Sequence, residues 1–176
     1  MRAFVALAIF LAAAGSAAAQ DLSIKAFYGH YSGGGIAETP GSLYFDVTAR
    51  DLDVVIEAAA GGVRIAWTTV IRTGEDPNNP KVVKKSTEIT FSATDKPNYF
   101  IENRNANAFD GAPLSWARIE EHTLTTYTFV IEDDGIYGLS AYARTIGASG
   151  MELLFSSIRD GQPVRRVKAR LVKDAD

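Results

Sequence analysis

The chain has 176 residues, contains no cysteine and carries a formal net charge of −3. The absence of cysteine excludes disulfides, thiol nucleophiles and thiolate metal sites. The slight acidic excess does not favour nucleic acid, which requires a basic surface. The length suits one domain with a hydrophobic core of its own.

The first 19 residues have the pattern of a secretory signal peptide. Arg2 supplies a positive start, residues 4–14 are apolar, and a run of alanines ends at Ala19. The apolar run is shorter than the roughly 20 residues that a transmembrane helix needs. We therefore expect cleavage after Ala19, a mature domain over residues 20–176 without a transmembrane segment, and a periplasmic or secreted location.

The mature sequence opens with segments of strand character. Residues 22–36 predict a first strand, and Gly33-Gly34-Gly35 predicts a bulge or sharp bend. Residues 44–49 alternate and predict a second strand, which leads into residues 51–72. That segment consists of two alternating runs around Gly61-Gly62, the pattern of a β-hairpin.

The hairpin over residues 51–72 has one almost wholly apolar face. Pairing across the two glycines places Ile56 opposite Trp67, and it places Glu57 and Arg64 as a diagonal ion pair on the other face. A slip of one residue would expose the apolar set to water, so the register is strongly specified. Trp67 is therefore predicted to lie in the core.

The remaining sequence continues as short alternating segments. Strands are predicted at residues 83–91, 99–101, 116–120, 124–132, 136–144, 151–158 and 164–172, with hairpin turns at Asp134-Gly135 and Asp160-Gly161 and an irregular loop at 103–111. No helical periodicity is sustained beyond the signal peptide. The fold class is therefore all-β, a single antiparallel up-and-down barrel of about nine or ten strands, with a sandwich as the alternative closure.

The segment Gly29-His30-Tyr31-Ser32-Gly33-Gly34-Gly35 resembles the glycine-rich first strand of the calycin superfamily, which includes lipocalins and fatty-acid-binding proteins. Those families often carry Gly-x-Trp, and Tyr31 stands where the tryptophan would fall. The spacing also resembles that of nitrobindin-like haem barrels. The calycin resemblance implies a small barrel that holds a lipophilic ligand.

The sequence offers no catalytic or metal-binding set. His30 and His122 are the only histidines and do not have the spacing of metal ligands. His30 is a candidate haem ligand or base, but an ordinary strand residue is the favoured interpretation. We therefore predict no metal and no cofactor, and an enzyme is less favoured than a binding protein.

One hairpin supplies a candidate ligand site. Pairing across Asp134-Gly135 predicts that Tyr127 and Phe129 share a face with Tyr142 and Arg144. Together with Trp67, these residues would suit a ligand with an anionic head and an apolar tail. A buried guanidinium requires a carboxylate, and a distant strand or a ligand would have to supply it.

The last hairpin supplies the alternative. A basic cluster near the C-terminus comprises Arg165, Arg166, Lys168 and Arg170. Pairing across Asp160-Gly161 places three apolar residues on a face with the last three of these cations, namely Met151, Leu153 and Phe155. The favoured function is binding of a small lipophilic or amphipathic, possibly anionic, molecule. The alternative is a structural or interaction protein with a filled barrel that acts through such a surface.

Overall fold

The computed structural model describes residues 20–39, 48–73 and 81–175. The predicted signal peptide and the start of the predicted second strand, residues 44–47, lie outside these ranges. Within them, no helix has both the length and the apolar character that crossing a membrane requires.

The described residues form a short 3₁₀ turn, Ile24–Phe27, followed by ten strands. The strands are β1 Gly29–Glu38, β2 Thr48–Ala59, β3 Gly62–Thr73, β4 Lys81–Ala93, β5 Tyr99–Glu102, β6 Leu114–Glu120, β7 Thr123–Ile131, β8 Tyr137–Gly147, β9 Gly150–Arg159 and β10 Gln162–Lys173. A second 3₁₀ turn, Ala108–Asp110, lies between β5 and β6. Each strand pairs antiparallel with the next, and β1 pairs with β10, so the sheet closes into a barrel. The predicted up-and-down barrel is confirmed, and β4 pairs with the short strand β5 only at Phe91, Ser92 and Ala93.

The barrel interior is the hydrophobic core. Alternate residues of β2 and β3 are buried, as the apolar face of the predicted hairpin requires: Leu52, Val54, Ile56, Val63, Ile65 and Trp67. At one end of the barrel, Phe27 is fully buried and its carbonyl accepts a hydrogen bond from the Tyr31 hydroxyl at 3.0 Å. The 3₁₀ turn therefore plugs that end, and the strand predicted from residue 22 begins only at Gly29.

The triple glycine does not bend the chain. Gly33, Gly34 and Gly35 lie within β1 and keep continuous register with both β2 and β10. A Cβ at Gly35 would lie 2.3 Å from the Lys168 carbonyl oxygen. The predicted bulge is wrong, and the glycine instead permits close approach of β10.

The register of the β2–β3 hairpin differs from the prediction by two residues. The turn is Ala60-Gly61, with a φ of 72° at Gly61, and Val54 rather than Ile56 lies opposite Trp67. A shift of two residues preserves the faces, because side chains alternate with a period of two. The inward position predicted for Trp67 is therefore confirmed, although its partner was wrong.

The β7–β8 hairpin has a three-residue loop, Asp133-Asp134-Gly135, where the sequence predicts a two-residue turn. Gly135 has a φ of 80°, and its N–H donates to the Glu132 carbonyl at 2.8 Å. The Asp134 carboxylate accepts a hydrogen bond from the Ile136 N–H at 3.0 Å. A turn closed by a left-handed glycine is a common three-residue hairpin loop.

The additional loop residue moves the β7–β8 register by one. Tyr142 lies opposite Thr126, and Tyr127 lies opposite Ala141. Because a slip of one residue reverses the faces, the predicted common face of Tyr127 and Phe129 with Tyr142 and Arg144 is wrong.

A β-bulge has the same effect in the β9–β10 hairpin. The turn at Asp160-Gly161 is correct, since Ile158 pairs with Pro163, but the register shifts between Pro163 and Arg165. The inward residues of β9 therefore meet Val167, Ala169 and Leu171. The predicted shared face with Arg166, Lys168 and Arg170 is wrong, and these three cations are exposed.

Candidate functional site

A cavity of about 200 Å³ lies inside the barrel, toward the end where β3 leads into β4. Its wall is formed by inward-facing residues of strands β2, β3, β4, β8, β9 and β10: Arg50, Leu52, Trp67, Thr69, Ile71, Lys85, Thr87, Tyr142, Leu153, Phe155, Arg165 and Val167. Aliphatic and aromatic groups make up most of this lining, and hydroxyls and cations supply the rest.

Three aromatic rings, which we call the aromatic wall, form one side of the cavity. The ring centroids of Trp67 and Tyr142 are 4.9 Å apart, and those of Tyr142 and Phe155 are 4.5 Å apart. The rings are tilted by 54° and 42°, a favourable geometry for aromatic pairs. Tyr142 and Phe155 are brought together because they are directly paired across β8 and β9.

Three positively charged residues line the same cavity: Arg50 from β2, Lys85 from β4 and Arg165 from β10. We call these the cavity cations. Arg50 is only 9% exposed, and its Nε has no hydrogen-bond partner. Burial lowers the pKa of Arg50, and the positive charge of Arg165 lowers it further.

No carboxylate is present among the described residues that line the cavity. The nearest acidic residues along β2, Asp51 and Asp53, alternate with the inward Arg50 and Leu52 and therefore face outward. Positive charges in a partly buried site are stabilised when an anion compensates them. The cavity thus combines apolar surface with positive charge that the described lining does not neutralise.

A fourth cation lies behind the aromatic wall. Arg144 has no exposed surface, and its Cζ lies 5.2 Å from the ring centroids of both Trp67 and Tyr142. Nη1 donates to the Thr126 hydroxyl at 3.0 Å and to the Tyr142 carbonyl at 3.4 Å, while Nε and Nη2 have no partner. Contact with the two ring faces compensates its burial in part.

Burial lowers the pKa of Arg144 to about 10, so the guanidinium still carries its charge at neutral pH. Within the described parts of the chain, Arg144 forms no ion pair with a carboxylate. The expectation that a buried Arg144 requires a carboxylate is wrong for the described residues, because the Thr126 hydroxyl and the rings of Trp67 and Tyr142 surround it instead. Arg144 is also absent from the cavity lining, which these two rings help to form.

Two arginines affect the pKa of Tyr142, namely Arg144 behind the aromatic wall and the cavity cation Arg165. Burial raises the pKa of its phenol, and the neighbouring Trp67 indole and the charges of Arg144 and Arg165 oppose this effect. The phenol therefore remains protonated at neutral pH. The Tyr142 hydroxyl and the Trp67 indole N–H are the hydrogen-bond donors that the aromatic wall carries.

The other two predicted site residues lie on the outer surface. Tyr127 stacks on Trp116 with centroids 5.0 Å apart, and Phe129 packs near Tyr137 at 6.0 Å. The structure thus brings Trp67, Tyr142 and Arg144 together inside the barrel. It places Tyr127 and Phe129 on the outer face of β7.

Two cavity residues, Arg50 and Lys85, are not among the site residues that the sequence predicts. Both occupy the inward positions of their strands, Arg50 two residues before Leu52 and Lys85 two residues before Thr87. Extending the apolar alternation to these polar positions would have identified both residues. Arg165 was grouped with the basic cluster, because the bulge that turns it inward has no sequence signature.

His30 lies on the outer surface, between two carboxylates. Its Nε2 is 2.6 Å from Asp53 Oδ2, and its Nδ1 is 2.8 Å from Asp174 Oδ2. The hydrogen bond to Asp53, together with the charges of Asp53 and Asp174, raises the pKa of His30. Both ring nitrogens are engaged, which fits an ordinary strand residue that links β1 to β2 and to the residue following β10. His122 is exposed in the β6–β7 turn.

Comparison with known proteins gives little further information. No protein-family model matches the chain, and no curated protein matches it. Among solved structures, an S-type phycobiliprotein lyase, CPES from Guillardia theta, aligns with a TM-score of 0.39 and 10% identity. The alignment covers 87% of this chain and 91% of the lyase. Similarity at this level does not assign a function.

Proposed function

We propose that the barrel binds a small amphipathic anion, with the apolar part of the ligand against the aromatic wall and its head group among the cavity cations. The observation that carries this proposal is the lining of the cavity, which has three aromatic rings and three cations but no carboxylate among its described residues. Binding sites for small molecules typically combine apolar surface with a few convergent polar groups.

The cavity volume limits the size of the ligand. A dry cavity of about 150 Å³ holds a benzene molecule, and drug-sized ligands occupy pockets of about 300–1,000 Å³. A cavity of about 200 Å³ therefore favours a single ring or a medium-length alkyl chain. A longer ligand would extend past Lys85 and Arg165, which are both exposed.

Arg144 supports this site from behind. Its charge adds positive potential to the cavity through the aromatic wall, and low local polarity strengthens such an interaction. It also fixes Tyr142 through the bond to the Tyr142 carbonyl and the contact with the ring. In this proposal the Tyr142 hydroxyl donates a hydrogen bond to the ligand head, and Arg144 attracts the head without touching it.

We also propose that the protein is related to the calycins and that it is exported from the cytoplasm. The closed antiparallel barrel is the architecture that the resemblance of residues 29–35 implies, and the N-terminal pattern implies cleavage after Ala19. Intact-mass measurement of the protein from its own host tests export, because a mature form that retains Met1 would contradict it.

Tryptophan fluorescence can test the binding proposal directly. In a Trp116→Phe background, Trp67 is the only tryptophan, so its emission reports on the aromatic wall. Octanoate should bind and change the emission of Trp67, whereas octanol and octylamine should bind more weakly, because they lack the negative charge. The protein should first be unfolded and refolded to remove any ligand that copurifies with it.

Two adjacent arginines provide a matched pair of variants. Arg165→Met removes a cavity cation and should weaken octanoate binding, whereas Arg166→Met removes an exposed outer cation and should leave it unchanged. Equal binding of octanoate and octanol would contradict the role of charge. If no alkyl or single-ring anion binds, the proposal fails, and a structural protein acting through its outer basic residues becomes the better interpretation.

A further inference from the structure

We infer that the ligand head group carries two negative charges, as a phosphate monoester does, and that Arg50 and Arg165 hold it with the help of Lys85. This inference rests on the proposed function and specifies the class of its ligand. The observation that carries it is the convergence of three cations from three different strands on one cavity, with no carboxylate among the described lining residues.

One strand, β1, separates Arg50 from β10, and β1 and β10 approach each other closely at Gly35. Arg50 pairs with Gly35 of β1, and Gly35 in turn pairs with Ala169 of β10. The next inward residue of β1 is Ala37, so this strand places no bulky side chain between the two arginines. The bulge after Pro163 then turns Arg165 inward. Close strand packing at Gly35 and the bulge after Pro163 therefore bring both guanidinium groups to the lining of the same cavity.

The two arginines repel each other in the absence of an anion. The charge of Arg165 lowers the pKa of Arg50, in addition to the effect of burial, and Nε of Arg50 is buried without a partner. One negative charge would leave the three cavity cations with an excess of two positive charges. A dianion would neutralise the charges of both arginines and leave only Lys85, which is exposed to water.

The donors around this space suit a head group with several oxygen atoms. Guanidinium groups bind oxyanions through two parallel N–H bonds, and lysine binds phosphate as a point charge. Thr69 and Thr87 add hydroxyl groups from β3 and β4 to the same lining. A phosphate monoester presents three terminal oxygens and a charge of about −1.5 to −2 at neutral pH, whereas a carboxylate presents two oxygens and a single charge.

The aromatic wall supplies the remaining selectivity. Trp67, Tyr142 and Phe155 offer apolar surface next to the cations, so an organic substituent on the phosphate should contribute to affinity. The structure therefore favours an alkyl or aryl phosphate over inorganic phosphate. A head group cut from a lipid and a free soluble phosphate ester share this chemistry.

Calorimetric titration of the mature chain with matched amphiphiles tests the inference. Octyl phosphate and octyl sulfate have the same shape, but the sulfate carries only one charge. At about pH 7.5, octyl phosphate should bind roughly tenfold more tightly than octyl sulfate or octanoate. At about pH 5.5 the advantage should shrink, because the second ionisation of the phosphate lies near pH 6. Inorganic phosphate should bind more weakly than octyl phosphate.

The variants assign the preference to particular residues. Arg50→Met and Arg165→Met should each bring octyl phosphate to within about twofold of octyl sulfate, and Arg166→Met should preserve the preference. Arg165 is exposed, so its variant keeps the test valid if the buried Arg50→Met does not fold.

The possible failures are distinguishable. If octanoate or octyl sulfate binds as tightly as octyl phosphate, the dianion inference is wrong and the proposed function stands. If inorganic phosphate binds as tightly as octyl phosphate, the inferred organic phosphate class is wrong. If none of the amphiphiles binds, both the inference and the proposed function fail.

Discussion

Replacement of Arg144 by methionine tests the central physical claim about the site, namely that a buried cation is held there without a carboxylate. Methionine matches the length of the arginine stem and fills the apolar part of its space. Arg144 has no exposed surface, and two of its nitrogens have no partner. Replacing a buried charge by a well-packed apolar group is often neutral or stabilising when no counter-charge is left behind.

The expected size of the effect follows from the groups around Arg144. Burial lowers the pKa of Arg144 to about 10, and at about 1.4 kcal/mol per pKa unit this lowering corresponds to a cost of about 3 kcal/mol. The two cation–π contacts offset about 0.5–1 kcal/mol each. Losing the bond to Thr126 costs about 1 kcal/mol. Arg144→Met should therefore leave the ligand-free protein as stable as the parent or about 1 kcal/mol more stable, by the same accounting.

Urea unfolding of protein refolded without ligand provides the measurement. Arg64→Met is the control, because Arg64 lies on the outer face and pairs with Glu57 and Glu88 at 2.8 Å each. Exposed ion pairs contribute about 0–1 kcal/mol, so the control should change little. If Arg144→Met instead lowers the free energy of unfolding by about 3–5 kcal/mol, the loss expected when a buried carboxylate is left unpaired, Arg144 has an acidic partner and our argument is wrong.

Three further predictions concern the barrel itself. Trp67→Ala should lower the free energy of unfolding by about 3–5 kcal/mol, and Thr68→Ala on the outer face by less than about 0.5 kcal/mol; equal losses would show that the faces are misassigned. Gly62→Ala should lower the free energy of unfolding by about 1–3 kcal/mol or more, because its Cβ would lie 1.9 Å from a β4 carbonyl oxygen. Gly147→Ala should lower it far less, because a Cβ there meets no atom within 4 Å. His30 has a raised pKa, so its stabilising contribution is complete below the unfolded-state pKa and is lost as the pH rises through the folded-state pKa. In urea melts, His30→Gln should therefore lower the free energy of unfolding more at low pH than at high pH. A loss that does not change with pH would contradict this linkage.

Local sequence patterns were sufficient for most of the strands and for their antiparallel order, and they left a sandwich as the alternative to a closed barrel. Alternation with a period of two locates the strands from β3 onward within a few residues, and the glycine-containing turns locate the hairpins. The first hairpin was assigned to the correct faces even though its register was wrong by two residues, because an even shift leaves Trp67 on the same side. The fold class therefore depends on information that each short segment carries by itself.

The composition of the site depended on single-residue events that local patterns do not reveal. Whether Asp134-Gly135 closes a two-residue or a three-residue loop decides whether Tyr127 faces the cavity or the outer surface. One bulged position after Pro163 likewise decides whether Arg165 or Arg166 faces inward. The second outcome buries the more apolar set of β10, namely Val167, Ala169 and Leu171.

By itself, the sequence determined that these segments form strands and that the strands follow one another through tight turns. Only the closed barrel decided which cations meet. Arg50, Lys85 and Arg165 are far apart in the chain, and they share a cavity because closure of β1 on β10 brings distant strands around one interior. The strand register decides which face a side chain occupies and which residue lies opposite it. The register is fixed by the free energy of the whole barrel rather than by any one of its strands.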